Sequence, residues 1–290
     1  MKSKLLLSLL LGGAAALALP AQTSVWKVTR GGNTVYLGGT CHVLRAADYP
    51  LPTEFDRAFA QARALYFETD IARLLSPEMQ QVVATRGVYQ DGTTLDKVLT
   101  PEAWQAVQHY AATSGLPLAQ FSRFKPWLFV TAVAALELQK LGVTDEGVDI
   151  HFYKAAAGAG KTVHGLEAFE RQLDFLTSMG AGHESELVVS SLDELKDLPK
   201  EMPELIAAWR TGNTSQIDRT MLAEVRQRFP AIYAQLIVQR NRDWLPVIDG
   251  LLKTPEIEFV LVGAAHLAGP DGLLEALKKK GCKVEQWKGN

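Results

Sequence analysis

Apolar residues recur along this chain at two spacings, and each change from one to the other marks an element. Val25 to Thr29 alternates apolar and polar, Gly31-Gly32-Asn33 turns, and Thr34 to Leu37 returns, which predicts a hairpin. Phe55, Ala58, Phe59 and Ala62 then share one helical face behind Thr53, read as its cap. Ala64 to Phe67 is a short apolar run that stops at Glu68 and reads as a buried strand. Thr100-Pro101 opens a helix through Trp104 and Val107, and Pro126 opens another that stops near Gly142. A helix from Glu146 to Ala157 carries Asp149 and His151, and Lys161 to Leu166 is a second short strand, stopping at Glu167. Residues 168 to 228 read as helical and more polar, with breaks expected at Gly180, Pro199, Pro203 and Gly212. A long helix covers Pro230 to Leu252. Glu258 to Val262 is a strand, Pro270 to Lys280 a helix closed by Gly281, and Cys282 to Trp287 a last strand, an order that predicts a parallel βαβ unit. The fold class expected is α/β (α+β mixed): a central, mostly parallel sheet with an N-terminal hairpin, flanked and capped by helices. With no low-complexity linker, residues 22–290 read as one domain with a helical insertion around 72–250.

The N-terminus changes the compartment. Lys2 and Lys4 precede an uncharged run from Leu5 to Leu19, and Leu19-Pro20-Ala21 offers small residues to a signal peptidase. Residues 1–21 are therefore read as a cleaved leader, and the rest as periplasmic or secreted. A retained anchor is the other reading, but a span needs about 20 apolar residues, and no later stretch is long and apolar enough. A net charge of −2 is close to balanced, and nothing suggests the clustered basic face that nucleic-acid binding needs. Of the two cysteines, Cys41 and Cys282, the sequence leaves open whether they pair.

Four polar residues share one placement. His42, Glu68, Glu167 and His266 each follow a short apolar run at its C-terminal end, where sites form in open α/β sheets. If those strands run parallel, two imidazoles and two carboxylates meet at one rim, a donor set suited to Zn, Mn, Co or Fe. Gly39 and Gly263 stand three residues before the two histidines and permit a tight turn at the strand tip. The Gly-x-x-His pattern is weak alone. With 23 Gly and 6 His, chance predicts roughly 0.5 matches, and a third match, at Gly180 to His183, follows a helix and reads as a surface coincidence. The alternative for His42 and His266 is a hydrogen-bonded structural role.

Arg240 falls within the apolar stripe Tyr233, Leu236, Ile237, Trp244, Val247, Ile248 and Leu251. A guanidinium there needs an anion such as Glu68, Glu167 or a substrate oxyanion, or else snorkels past Trp244 to water. Asp70 would join Glu68 on one face if its strand continued. Asp149 and His151, two apart on a helix, do not face each other and default to its surface. A Cys41-His42 nucleophilic dyad is disfavoured, since neighbours on an extended segment point oppositely.

Gly39-Thr40-Cys41-His42-Val43-Leu44, Tyr66 to Asp70, Gly147 to Phe152, Gly165-Leu166-Glu167 with Gln172, Arg240-Asn241, and Val262 to Leu267 with Gly272 resemble, in order and over nearly the whole mature chain, the TraB/GumN family. That family is similar to the Tiki proteins, regarded as divalent-metal-dependent proteases, and remotely to the erythromycin-esterase and ChaN haem-binding group. The resemblance implies a site of His42, His266 and Glu68 supported by Arg240 and Asn241; Cys41 in the first element departs from the pattern. The function expected is an exported metal-dependent hydrolase of the peptidase type, using Mn, Co or Zn on a peptide or protein substrate. His42 and His266 would be ligands, Glu68 a third ligand or the general base, and Arg240 an oxyanion or carboxylate partner. The alternative is a non-catalytic binder of a peptide, haem or metal.

Overall fold

The computed structural model describes residues 23–289; the expected leader, residues 1–21, lies outside them. Strand β1 (Val25–Arg30) and strand β2 (Asn33–Thr40) form the hairpin, paired antiparallel from Val25↔Gly38 to Arg30↔Asn33. Gly31 and Gly32 both carry positive φ, as the two-residue turn that matches strand twist demands. Two-residue β3 (Leu44–Arg45) leads to helix α1 (Thr53–Gln61), and β4 (Ala64–Phe67) follows. Thr53 is the first residue of α1 rather than its cap; Pro52 holds that place and its carbonyl accepts from Phe55 N–H at 3.0 Å.

A helical stretch comes next, including α2 (Pro101–Ser114) and α3 (Pro126–Lys140), then β5 (Val143–Thr144), α4 (Val148–Ala159), β6 (Thr162–Gly165), α5 (Phe169–Ser178) and α6 (Glu184–Arg210). Thr100 caps α2 by accepting from Ala103 N–H. The stretch 72–250 is thus not uniformly helical, because β6 returns to the main sheet within it. Nor do Pro199 and Pro203 break the chain: α6 runs 27 residues through both. Both prolines are exposed, about one turn apart, while Met202, Ile206 and Trp209 of the same helix are buried in the core, so packing outweighs the lost backbone bonds.

The long helix predicted over 230–252 is present as Pro230–Tyr233, a widened π turn at Ala234–Gln239, and α7 (Arg240–Leu251). Strand β7 (Glu258–Gly263), the four-residue helix α8 (Ala264–Leu267), α9 (Leu273–Lys279) and β8 (Lys283–Gln286) complete the fold.

Six strands form one sheet in the order β6-β4-β7-β2-β1-β8. Strands β6, β4, β7 and β2 are mutually parallel, and β1 is antiparallel to both its neighbours. The mixed α/β class, with a mostly parallel sheet between helices, is as expected. The terminal strand-helix-strand unit differs in one respect: β7 and β8 run parallel but are separated by β2 and β1. All six residues of β7 are buried, as a central strand covered on both faces requires. One face packs Tyr36, Phe67, Phe259 and Leu261 against Phe55, Phe152 and Trp209. The other packs Leu37, Val260 and Val262 against Trp244 and Ile248 of α7 and Leu273 and Leu277 of α9. A separate core joins α2, α3 and α6 through Val107, Phe129 and Leu192. Among the described residues no helix is long and apolar enough to cross a membrane, and Cys41 and Cys282 are both free thiols.

Candidate functional site

Strands β2, β4, β6 and β7 end at one rim, and the residues just beyond them are His42, Glu68, Glu167 and His266. Glu68, His266, Arg240 and Asn241 are buried, each no more than 6% exposed, whereas the His42 side chain is 58% exposed. His42 therefore lines the mouth of the cluster and the others its floor.

Hydrogen bonds fix both imidazoles. The Asp149 carboxylate accepts from His42 Nδ1–H at 2.6 Å, which leaves Nε2 directed inward, 3.9 Å from Oε1 of Glu68. Asn241 donates through Nδ2 to the carbonyls of His266 and Asp271, at 3.0 and 2.9 Å. Its Oδ1 thereby faces Nδ1 of His266 at 2.8 Å and accepts that proton. The His266 Nε2 lone pair accepts from Nη1–H of Arg240 at 3.1 Å. It also stands 3.8 Å from the same Glu68 Oε1. A donor on one nitrogen and an acceptor on the other define a neutral Nδ1–H tautomer.

Arg240 is held by anions, as its place in an apolar stripe demands. Its Nη2 donates to Glu68 Oε2 at 2.6 Å and to Glu167 Oε1 at 2.6 Å, and Nε donates to Glu167 Oε1 at 3.0 Å. The guanidinium also lies 4.5 Å over the Trp244 ring, whose Nε1–H donates to Glu167 Oε2 at 3.3 Å. Four of its five N–H groups are thus engaged, leaving one on Nη1.

Two glycines make room. Gly263 N–H donates to Glu68 Oε1 at 2.7 Å, and a Cβ there would stand 3.1 Å from that oxygen and 3.2 Å from His42 Nε2. At Gly39 a Cβ would press on Leu267 and Ala264 at 3.1 and 3.3 Å, so its absence seats α8 against β2. A third, Gly147, lies so close to His42 that a Cβ would come within 2.3 Å of the His42 carbonyl oxygen. This contact brings the start of α4, and with it Asp149, against the histidine.

The electrostatics follow the packing. Asp149 holds His42 up to about 9 despite burial of part of the ring. Burial pushes His266 down to about 4. For Glu68, burial acts upward, but the positive field of His266, Arg240 and His42 and the Gly263 N–H prevail and bring it down to about 2. With His266 neutral at pH 7, Arg240 is the main support of that charge. Burial pushes the Cys41 thiol up to about 11, and Cys41 donates to the Val43 carbonyl at 3.2 Å, so no thiolate is available beside His42.

The remaining sequence candidates separate. Asp149, assigned by default to a helix surface, is buried and belongs to the cluster. Its signal was lost because its partner lies 107 residues away. His151 lies beside Tyr49, with the rings tilted and their centroids 5.5 Å apart, and makes no hydrogen bond to the cluster among the described residues. Asp70 is exposed and caps the helix Ile71–Leu74 by accepting from Arg73 N–H at 3.2 Å. The chain turns into a helix there, so the strand register that would have aimed it at the site is lost. His183 begins α6 on the surface and pairs with Glu186.

The donor set fits a divalent ion in part. Two Nε2 atoms, each with its Nδ1 held by an oxygen acceptor as metal-binding histidines require, converge on one carboxylate oxygen, and Gly263 leaves the space between them open. Arg240 occupies the His266 lone pair, and among the described residues no three His, Cys, Asp or Glu side chains form a closed ligand group. Ion binding at His42, His266 and Glu68 requires one guanidinium N–H to withdraw from His266 and His42 to release its Nε2 proton.

A family model described as the TraB/PrgY/gumN family matches residues 24–286. An uncharacterized protein of Treponema pallidum (strain Nichols) is 22% identical over 291 residues, covering 94% of this chain and 85% of the relative. No solved structure matches the chain.

Proposed function

The chain belongs to the TraB/PrgY/gumN family, and on that premise we propose that it is an exported, divalent-metal-dependent hydrolase acting on a peptide bond in the periplasm or outside the cell. One observation carries the reading: both imidazoles have Nδ1 pinned, by Asp149 and Asn241, and both turn Nε2 toward the same oxygen of Glu68. His42 and His266 would hold Mn, Co or Zn, with Glu68 as third ligand. When bound, such an ion supplies Lewis acidity and lowers the pKa of water. Glu68 suits a ligand better than a general base, because a carboxylate held at about 2 has little proton affinity near neutrality. Arg240 favours the ionised form of Glu68 and holds Glu167 in place by hydrogen bonds, with one N–H left for a developing oxyanion. Exposed His42 marks the side from which a peptide enters, and the basic, apolar and small-residue order of residues 1–21 supports export.

The test uses purified mature protein, its metal content measured and peptide cleavage followed with added Mn²⁺, Co²⁺ or Zn²⁺. Cleavage is expected to require the metal and to fall at least about 100-fold in His266→Ala. Melting temperature should rise with the metal in the wild type and not in His42→Ala. A second reading is capture of a peptide, haem or metal without turnover; the hydrogen-bonded closure of Arg240, Glu68 and His266 favours its peptide and haem forms, because the His266 lone pair is already taken. Metal uptake with no cleavage of any peptide would establish that reading over the hydrolase.

A further inference from the structure

Beside the cluster, on the far side of Arg240 and Glu167, lies a cavity of about 330 Å³ between α5 and the π turn that leads into α7, a size within the range of ligand pockets. Its charges are already neutralised in pairs: Glu167 with Arg240, Arg171 with Asp243, and Asp174 with Arg86. One amide N–H of Gln239 is shared between the two Asp243 oxygens, at 3.1 and 3.2 Å. The lining left to meet a ligand is neutral: Gln172, Gln235, the rest of the Gln239 amide, Ser178 and the Phe175 ring. The Oε1 of Gln172 is buried and has no hydrogen-bond partner among the described residues. An acceptor in that state carries a penalty of about 1–3 kcal/mol until a donor reaches it.

Resting on the reading above, we propose that this cavity is a substrate subsite for a neutral carboxamide side chain, Gln or Asn, of an extended peptide whose reacting bond lies at the histidines. Once the Gln172 amide turns its buried Oε1 toward the cavity, a carboxamide brings the N–H that this oxygen lacks, and an acceptor for the neighbouring glutamine amides. An apolar side chain would seal Gln172 Oε1 without a partner. A charged one would lose its hydration and find no unpaired counter-ion.

The experiment has two arms. In the first, peptides that differ at one position (Gln, Asn, Leu, Lys or Glu) are compared by kcat/KM with Mn²⁺ present. Gln and Asn peptides should exceed the others about tenfold, and the gap should shrink to about twofold, through KM, in Gln172→Leu and in Gln235→Leu, which alter opposite walls. In the second, N-acetylglutamine methylamide, N-acetylleucine methylamide and an N-acetylglucosamine oligomer are titrated into metal-free protein and observed by NMR. Only the first should bind, and Gln172→Leu should weaken it about tenfold. Cleavage without the preference, a preference unchanged in both variants, or binding of the sugar in place of the amide would each overturn the subsite. Amide binding that depends on Gln172, with no cleavage in the first arm, would uphold the subsite and overturn the hydrolase.

Discussion

Arg240 decides the electrostatics of the cluster because it bridges two buried carboxylates, Glu68 and Glu167. Arg240→Met would leave Glu68 and Glu167 facing an apolar group, and unfolding in urea should show a loss of roughly 3–5 kcal/mol. Arg240→Lys keeps the charge but cannot serve two carboxylates and an imidazole from one ammonium, so it should recover only part. Equal stability of the methionine variant and wild type would refute the pairing. The histidines set the pH response of the metal-free protein. His266 is lowered from 6.5 to about 4, so its contribution is complete above about pH 6.5 and is lost as pH falls toward 4. Glu68, lowered from 4.5 to about 2, extends that acid loss from about pH 4.5 to 2. His42, raised from 6.5 to about 9, contributes fully below about pH 6.5 and loses its share as pH rises through 9, an effect reduced by its exposure. Chemical denaturation across pH should therefore peak near pH 6.5, and His266→Asn should flatten the limb between 6.5 and 4.5. His42, Glu68, Glu167 and His266 were legible in the sequence because each follows an apolar run, and Arg240 because it interrupts an apolar stripe. Asp149 was not, since nothing local on a helix announces a partner a hundred residues away.

At the scale of elements, the site depends on where helices start. Helix α4 begins against the backbone of His42 only because Gly147 has no side chain, although its φ of −79° suits any residue. Gly147→Ala should therefore act by displacement rather than by backbone strain, costing about 1–3 kcal/mol and breaking the bond between Asp149 and His42. The His42 imidazole resonances should then titrate closer to their ordinary value, and an unchanged titration would count against this contact. The π turn at Ala234–Gln239 likewise sets the register at which Arg240 and Asn241 emerge side by side at the cluster. No periodicity in the sequence predicts it, because its apolar stripe is continuous with that of α7. The opposite failure occurs at α6, where prolines that read as breaks are carried by the helix. Pro199 is exposed, so Pro199→Ala should restore a backbone bond without disturbing the core and raise stability by about 1–3 kcal/mol, measurable as a higher melting temperature.

Across the whole molecule, the position of the site follows from the path of the chain. It leaves β4 toward β6 at one edge of the sheet and leaves β7, through α9, toward β8 at the other edge. Adjacent strands whose connections depart in opposite directions open a crevice at their carboxyl ends, and Glu68 and His266 stand at those two tips. The elements were legible one by one, but the insertion of β7 between β2 and β4 was not. Strand order depends on long-range pairing that a local pattern does not encode, and for the same reason β8 was expected beside β7. That insertion has a consequence for folding. Without β7, strands β2 and β4 have no common neighbour, and Glu68 lacks the Gly263 N–H that binds it across 195 residues of sequence. Without β8, by contrast, the sheet loses only an edge, four pairs with β1 and the packing of Trp287 on Tyr36 at 4.5 Å. A chain ending at Gly281 should still unfold cooperatively, at a lower urea midpoint, whereas one ending at Leu252 should show no cooperative transition by near-ultraviolet circular dichroism. A sharp transition in the shorter chain would mean that β2 and β4 find a stable arrangement without β7, and the crevice would then owe nothing to its insertion.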